Sequence, residues 1–168
     1  KNEEARIQMS VAALEAGIAF NNASVTIIHG MSRPIGALFH VAHGLSNAML
    51  MKECLGFALE GAYDRFADLG RAIGVADEDK AAAQKFLSAI EGIVKELETP
   101  TLAEFGIDKD EFFKVIDKMA YDAMDSGSPQ NTMREVSEEQ VKQNIQALKE
   151  HGANLIIANF HWGTEKET

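Results

Sequence analysis

Three histidines near the start of the chain are the residues best suited to chemistry. His29, His40 and His43 fall close together in the segment HGMSRPIGALFHVAHG. His29 and His43 are each followed by glycine, which lets another backbone approach the imidazole or permits a turn beside it. Neutral imidazole is a good ligand for iron, zinc and other divalent first-row metals. The cluster therefore makes His29 and His43 candidate metal ligands.

The spacing leaves two interpretations of these histidines open. His29 and His43 are too far apart for adjacent turns of one helix, so a shared metal requires the chain to fold back, which we expect at Pro34 and Gly36. Without a metal, they would be hydrogen-bonded core histidines. We expect His40 to be a polar turn residue, with a contact to substrate or to a metal ligand as the alternative.

Motifs of several other sites are absent from the sequence. It contains no HExxH pair, no GxGxxG or GxxxxGK[ST] phosphate loop and no GxSxG elbow. A single cysteine, Cys54, excludes an intramolecular disulfide and a thiolate metal cluster. These absences leave the histidine cluster as the main candidate site.

Composition indicates one domain and excludes two classes of partner. The chain has 168 residues, 46% of them hydrophobic, and a net charge of −10. Because Lys and Arg form no run, we expect neither a nucleic-acid partner nor a membrane surface. The charged N-terminus is unlike a signal peptide, so we expect a cytoplasmic protein. The chain begins with Lys rather than Met, and we expect a longer protein from which a preceding segment is missing.

Apolar periodicity predicts an all-α helical bundle over residues 1–148, followed by a tail or arm over 149–168 that contains His151 and His161. Three prolines and an abundance of Ala, Leu, Glu and Lys favour helix over strand. The predicted helices cover 2–22, 24–38, a segment from Gly44 toward Phe57, a segment from Asp64 to before Gly74, 77–98, a segment from Asp108 through Met119, and one from Ser137.

Spacing and end signals add detail to these helices. The first should be amphipathic, and the second, apolar nearly all round, should be buried, carry His29 inward and be kinked or ended by Pro34. The fifth should present one apolar face: Ala82, Phe86, Ile90, Ile93 and Leu97. Asp108 is a predicted N-cap, and Ser137 is predicted to form a capping box with Glu139 and Gln140 in position for it.

The histidine segment also resembles a known family. The stretch FNNASVTIIHGMSRPIGALFHVAHGLSNAML is similar to the signature of the iron-containing (group III) alcohol dehydrogenases, in which an HxMxH segment leads to a PHG or AHG motif followed by NA. The resemblance continues in YDRFADLGRAIGV, TPTLAEFGI and DSGSPQNTMR, covers roughly residues 2–148, and fails in the tail.

The resemblance implies a helical C-terminal domain in which His29 and His43 bind a divalent metal, iron(II) or zinc. The family's other two ligands, an aspartate and a histidine in a DxxxH helix, would precede this segment, as would the domain that binds NAD(P). Arg33 stands where many members have a histidine near the substrate, and Ala42 where proline is common. Because arginine can clamp an anion, Arg33 is a candidate contact to a substrate more polar than a plain alkanol, or else pairs with an acidic residue of its own domain.

The function implied is the C-terminal portion of a metal-dependent alcohol dehydrogenase or aldehyde reductase that uses NAD(P) on a small alcohol or aldehyde. We expect this chain alone to be inactive and to form a homo-oligomer through its uncovered apolar surface. The alternatives are a non-catalytic helical interaction or oligomerisation module, a relative such as a glycerol dehydrogenase or a dehydroquinate synthase, and a helical metal-storage protein, which should show Glu-x-x-His pairs.

Overall fold

The computed structural model describes residues 2–77 and 79–143, which form helices and turns without a strand. The α-helices of this part are α1 (Glu3–Ala23), α2 (Ile27–Phe39), α3 (His43–Leu59), α4 (Tyr63–Ala72), α5 (Asp79–Glu96), α6 (Lys109–Lys114) and α7 (Ile116–Asp125). A 3-10 turn follows at Pro129–Asn131, and residues 138–143 are again helical. The all-α prediction is confirmed, while the predicted tail with His151 and His161 lies outside the described residues.

Helix α1 forms where the sequence predicts it but buries none of its residues. Its N-cap is Asn2, whose side chain accepts a hydrogen bond from the Ala5 N–H at 3.2 Å. Its large apolar side chains are exposed: Ile7, Met9, Val11, Leu14, Ile18 and Phe20. No single described helix is long and apolar enough to cross a membrane; α1 and α2 meet that length and composition test only as a pair bent by 107°.

The central core lies where α2 packs against α3 and α7. Ile27, Met31 and Ile35 recur every four residues along α2 and are each 1% exposed. Pro34 lies inside α2, which continues to Phe39, so the predicted end at Pro34 is wrong. Burial of the residues around it offsets the roughly 3 kcal/mol that an interior proline costs.

The reversal between α2 and α3 occurs at His40 rather than at Pro34 and Gly36. His40 has φ 55° and ψ 30°, a left-handed conformation that ends α2, and its side chain is exposed. The predicted turn role of His40 is therefore confirmed. The predicted position of the fold-back is wrong, because the buried face of α2 keeps the chain helical past Gly36.

A second core joins the end of α3 to α4 and α5. Its buried members are Leu59, Ala62, Phe66, Ala67, Ala82, Ala83 and Leu87. Along the predicted apolar face of α5, Ala82 is buried and Phe86 and Ile90 are half-buried, but Ile93 is exposed and Leu97 lies beyond the end of the helix. Helix α4 has 10 residues and α5 has 18, so α4 is too short to cover the C-terminal turns of α5.

Two predicted helix caps are confirmed. The Asp108 carboxylate accepts hydrogen bonds from the Asp110 and Glu111 N–H groups, each at 2.9 Å. The Ser137 N–H donates to the Gln140 side chain at 2.8 Å, and the Gln140 N–H donates to the Ser137 hydroxyl at 3.2 Å. The pattern after Asp108, predicted as one helix, is divided at Val115 into α6 and α7.

Candidate functional site

The fold places the side chains of His29 and His43 next to each other. His29 lies in the first turn of α2, and His43 is the first residue of α3. The hairpin between the two helices brings the imidazole centroids to 5.3 Å, with the ring planes inclined by 54°. His29 is partly buried and His43 is exposed, so the pair sits at the edge of the core rather than inside it.

Asn47 contacts both imidazoles. Its amide nitrogen Nδ2 lies 3.4 Å from Nε2 of His29 and 3.2 Å from Nε2 of His43. The corresponding ring nitrogens of the two histidines thus face one common point. The sequence analysis did not identify Asn47. Its spacing is nevertheless informative, because Asn47 lies four residues after His43 and therefore on the same face of α3.

Ser32 contacts the other ring nitrogen of His43, Nδ1. Its hydroxyl oxygen lies 3.4 Å from Nδ1 of His43, and Ser32 itself is fully buried in the contact between α2 and α3. The other ring nitrogen of His43, Nε2, faces Asn47. Sequence reasoning missed Ser32 because the contact crosses between two helices.

The surroundings of His29 disfavour its protonated form. Burial lowers the pKa of His29 below its ordinary value of 6.5, and the nearby His43 and Arg33 lower this pKa further. Arg33 lies one helical turn after His29 on α2 and is exposed. The neutral form of His29, which a metal needs, is therefore favoured at neutral pH.

These side chains line an open pocket of ≈ 630 Å³. One wall comes from the end of α1 and the connection to α2, with Phe20 and Val25, and the other from His29, Arg33, His43 and Asn47. The lining contains Arg33 and no carboxylate, although the chain carries a net charge of −10. His40, exposed at the turn, is not part of this lining.

The two histidines fit a divalent metal as part of a donor set. Both present Nε2 toward Nδ2 of Asn47, so a metal shared by the two rings would replace their hydrogen bonds with this amide. Within residues 2–77 and 79–143, no group of three or more His, Cys, Asp or Glu side chains is placed to hold a metal. A complete site therefore needs donors beyond these two.

Comparison with known proteins identifies the family of this chain. Residues 1–148 match the model of the Fe-containing alcohol dehydrogenase family, C-terminal. The NADPH-dependent butanol dehydrogenase of Clostridium saccharobutylicum is 29% identical over 143 residues, which are 84% of this chain and 37% of that protein. The 1,3-propanediol dehydrogenase of Klebsiella pneumoniae is 29% identical over 144 residues, 83% of this chain and 36% of that protein.

A solved structure shows the same fold. The crystal structure of a 1,3-propanediol oxidoreductase matches with a TM-score of 0.79 and 27% identity, over 88% of this chain and 39% of that one. The chain thus spans less than two fifths of the length of these relatives. The chain belongs to the Fe-containing alcohol dehydrogenase family, whose C-terminal, all-helical domain its residues 1–148 match.

Proposed function

We propose that this chain is the metal-binding, substrate-facing portion of an alcohol dehydrogenase or aldehyde reductase that interconverts a small alcohol and its carbonyl compound with NAD(P). The observation that carries the proposal is that Nε2 of His29 and Nε2 of His43 both face the amide of Asn47 at the edge of a pocket. Membership of the family supports the reaction class.

In this proposal His29 and His43 donate two nitrogens to iron(II) or zinc. A divalent metal bound there supplies a Lewis acid for the oxygen of the alcohol or carbonyl group. The lowered pKa of His29 keeps its imidazole neutral and able to act as a donor near pH 7. Hydride transfer belongs to the nicotinamide cofactor, which the complete enzyme binds outside this chain, since the sequence has no glycine-rich dinucleotide loop.

The pocket wall supplies substrate binding. Phe20 and Val25 give the pocket an apolar side suited to the carbon chain of a small alcohol or aldehyde. Arg33 gives the opposite side a fixed positive charge near His29. We assign Arg33 to contact with a polar or anionic group of the substrate, because its guanidinium stays charged and is suited to a carboxylate.

Metal titration of the purified chain tests the two ligands. We expect the wild-type chain to bind one Zn²⁺ weakly, because each missing donor removes a bond and preorganisation. His29→Ala and His43→Ala should each weaken binding by about tenfold or more. His40→Ala is the matched control, since His40 lies outside the pocket lining. Equal Zn²⁺ affinity in all four proteins would refute the metal site.

An activity assay of the isolated chain tests whether catalysis needs the cofactor-binding part of the complete enzyme. With two donors and no cofactor loop, the chain should show no alcohol-dependent reduction of NAD⁺ or NADP⁺. Substantial turnover by the purified chain, retained after removal of contaminating dehydrogenases, would contradict this assignment.

The exposed face of α1 favours a second candidate, a helical interaction or oligomerisation module. Leu14, Ile18 and Phe20 are more than half exposed, and an apolar face of this kind favours association with another surface. Sedimentation velocity with metal analysis separates the two functions. A stable homo-oligomer without Zn²⁺ or Fe²⁺ affinity would favour the module, whereas metal binding through His29 and His43 favours the enzyme.

A further inference from the structure

The Asn47 side chain can donate a hydrogen bond to each of the two histidines. Its amide NH2 group carries two hydrogens, and Nδ2 lies within hydrogen-bonding distance of Nε2 on both His29 and His43. One hydrogen can therefore point to each ring. A single residue on α3 thus connects the histidine of α2 to the histidine of its own helix.

This arrangement fixes which nitrogen of each neutral ring carries the proton. Donation from Asn47 requires both Nε2 atoms to be unprotonated, so each neutral ring carries its proton on Nδ1. On His43 that proton faces the hydroxyl oxygen of Ser32 at 3.4 Å, which can accept it. Because a hydroxyl can also donate, the Ser32 contact is compatible with this tautomer, and the contact with Asn47 is the one that selects it.

The reverse orientation of the amide is less favourable. Oδ1 of Asn47 is buried and accepts no hydrogen bond from the described residues. Rotating the amide by 180° would exchange Oδ1 and Nδ2 and would bury the NH2 group where Oδ1 lies. Two N–H donors would then have no acceptor, instead of one oxygen having no donor. Buried unpaired N–H groups are rarer in proteins than under-satisfied carbonyl oxygens. The orientation with NH2 toward the histidines is therefore favoured.

We propose that Asn47 is a positioning residue that holds His29 and His43 ready for a metal. Its amide fixes both rings as the Nδ1–H tautomer and aims both Nε2 lone pairs at one point before any metal arrives. A divalent metal bound by the two Nε2 atoms would replace the two hydrogen bonds from Asn47, so the amide NH2 group would have to move away from the rings. This inference rests on the proposed metal site, because the tautomer it fixes is the one that coordination through Nε2 requires.

The tautomers can be measured directly on the full chain without metal. We propose ¹⁵N NMR of the imidazole nitrogens, with chelator present and at about pH 8, where ordinary histidines are neutral. The wild-type chain should show His29 and His43 as Nδ1–H tautomers. In Asn47→Ala both rings should change to a mixture of tautomers. Nε2–H rings in the wild type, or unchanged rings in Asn47→Ala, would overturn the inference.

Two further variants keep the test decisive. Asn47→Asp has the same shape but presents an acceptor, so it should shift both rings toward Nε2–H and remains informative if Asn47→Ala does not fold. Asn21→Ala is the control, because Asn21 lines the same pocket but does not bridge the histidines. Since no metal is present, failure of the Zn²⁺ titration leaves this result intact, and the two proposals can fail separately.

Discussion

The backbone of Gly30 lies directly against the ring of Pro129. A β-carbon built on Gly30 would come within 2.8 Å of both Cδ and Cγ of the proline. The contact joins α2, one residue after His29, to the 3-10 turn that follows α7. The glycine after His29 therefore serves the packing of the helix, whereas a β-carbon built on Gly44, after His43, would meet no atom within 4 Å.

Alanine at these two glycines should have opposite effects. Gly30→Ala forces the Pro129 turn away from α2 and should lower the free energy of unfolding by about 1–3 kcal/mol. Gly44→Ala adds a methyl group to an open helical position and should raise this free energy by about 0.5–1 kcal/mol. Urea denaturation followed by circular dichroism measures both. Similar stability of the two variants would show that the Gly30–Pro129 contact is not tight.

A threonine far along the chain caps the start of α2. The Ile27 N–H donates to the hydroxyl oxygen of Thr132 at 3.1 Å in a buried position, while the N-cap residue Thr26 makes no side-chain cap. Thr132→Val keeps the shape and removes the acceptor, so it should lower the free energy of unfolding by about 1–3 kcal/mol. Thr26→Val is the matched control and should cost less. Equal losses in urea denaturation would contradict the cap.

These cases separate what local sequence predicts from what it does not. The Asp108 cap and the Ser137–Gln140 box join residues within three positions of each other, and the sequence predicts both. The Thr132 cap joins residues 105 positions apart, and no local pattern indicates it. The exposure of Ile93 on α5 is likewise not indicated by its own periodicity, because its burial depends on the length of α4.

In the candidate site, too, the sequence predicts residue types but not the contacts between helices. Residue types and family resemblance indicated His29, His43 and Arg33, and the structure places all three around one pocket. The position of the fold-back was wrong, since packing of Ile35 keeps α2 intact beyond Pro34. Asn47 and Ser32 were missed, because their contacts to the imidazoles require knowledge of how α2 and α3 pack.

The depressed pKa of His29 predicts a loss of stability in acid. Because the folded-state pKa lies below the ordinary 6.5, the unfolded chain binds more protons between the two values. The stabilisation associated with neutral His29 is therefore present above pH 6.5 and is lost as pH falls toward the folded-state pKa. Urea denaturation between about pH 7.5 and about pH 5.5, with chelator present, should show a smaller acid loss in His29→Gln than in wild type.

Two comparisons make that measurement specific. His40→Gln removes an exposed histidine of the turn and controls for the general effect of losing an imidazole. Arg33→Gln removes one cause of the depression, so the His29 pKa, followed by NMR, should rise toward its ordinary value. An acid loss of the same size in wild type and His29→Gln would contradict the assignment to His29.

The charge of Arg33 predicts substrate selectivity in a complete enzyme that contains this domain. Among the described residues no carboxylate lies within ion-pair distance of its guanidinium, so the alternative of an internal partner finds no support there. Arg33→Ala should raise KM by about tenfold for an aldehyde that carries a carboxylate, the loss of one charge-assisted contact. For a neutral aldehyde of the same length, KM should change by less than about threefold.

Arg33→Lys is the control variant, because it keeps the positive charge but loses the planar guanidinium group. Its KM for the anionic aldehyde should lie between that of the wild type and that of Arg33→Ala. Equal effects of Arg33→Ala on the two aldehydes would remove Arg33 from substrate recognition and leave it as an electrostatic neighbour of His29.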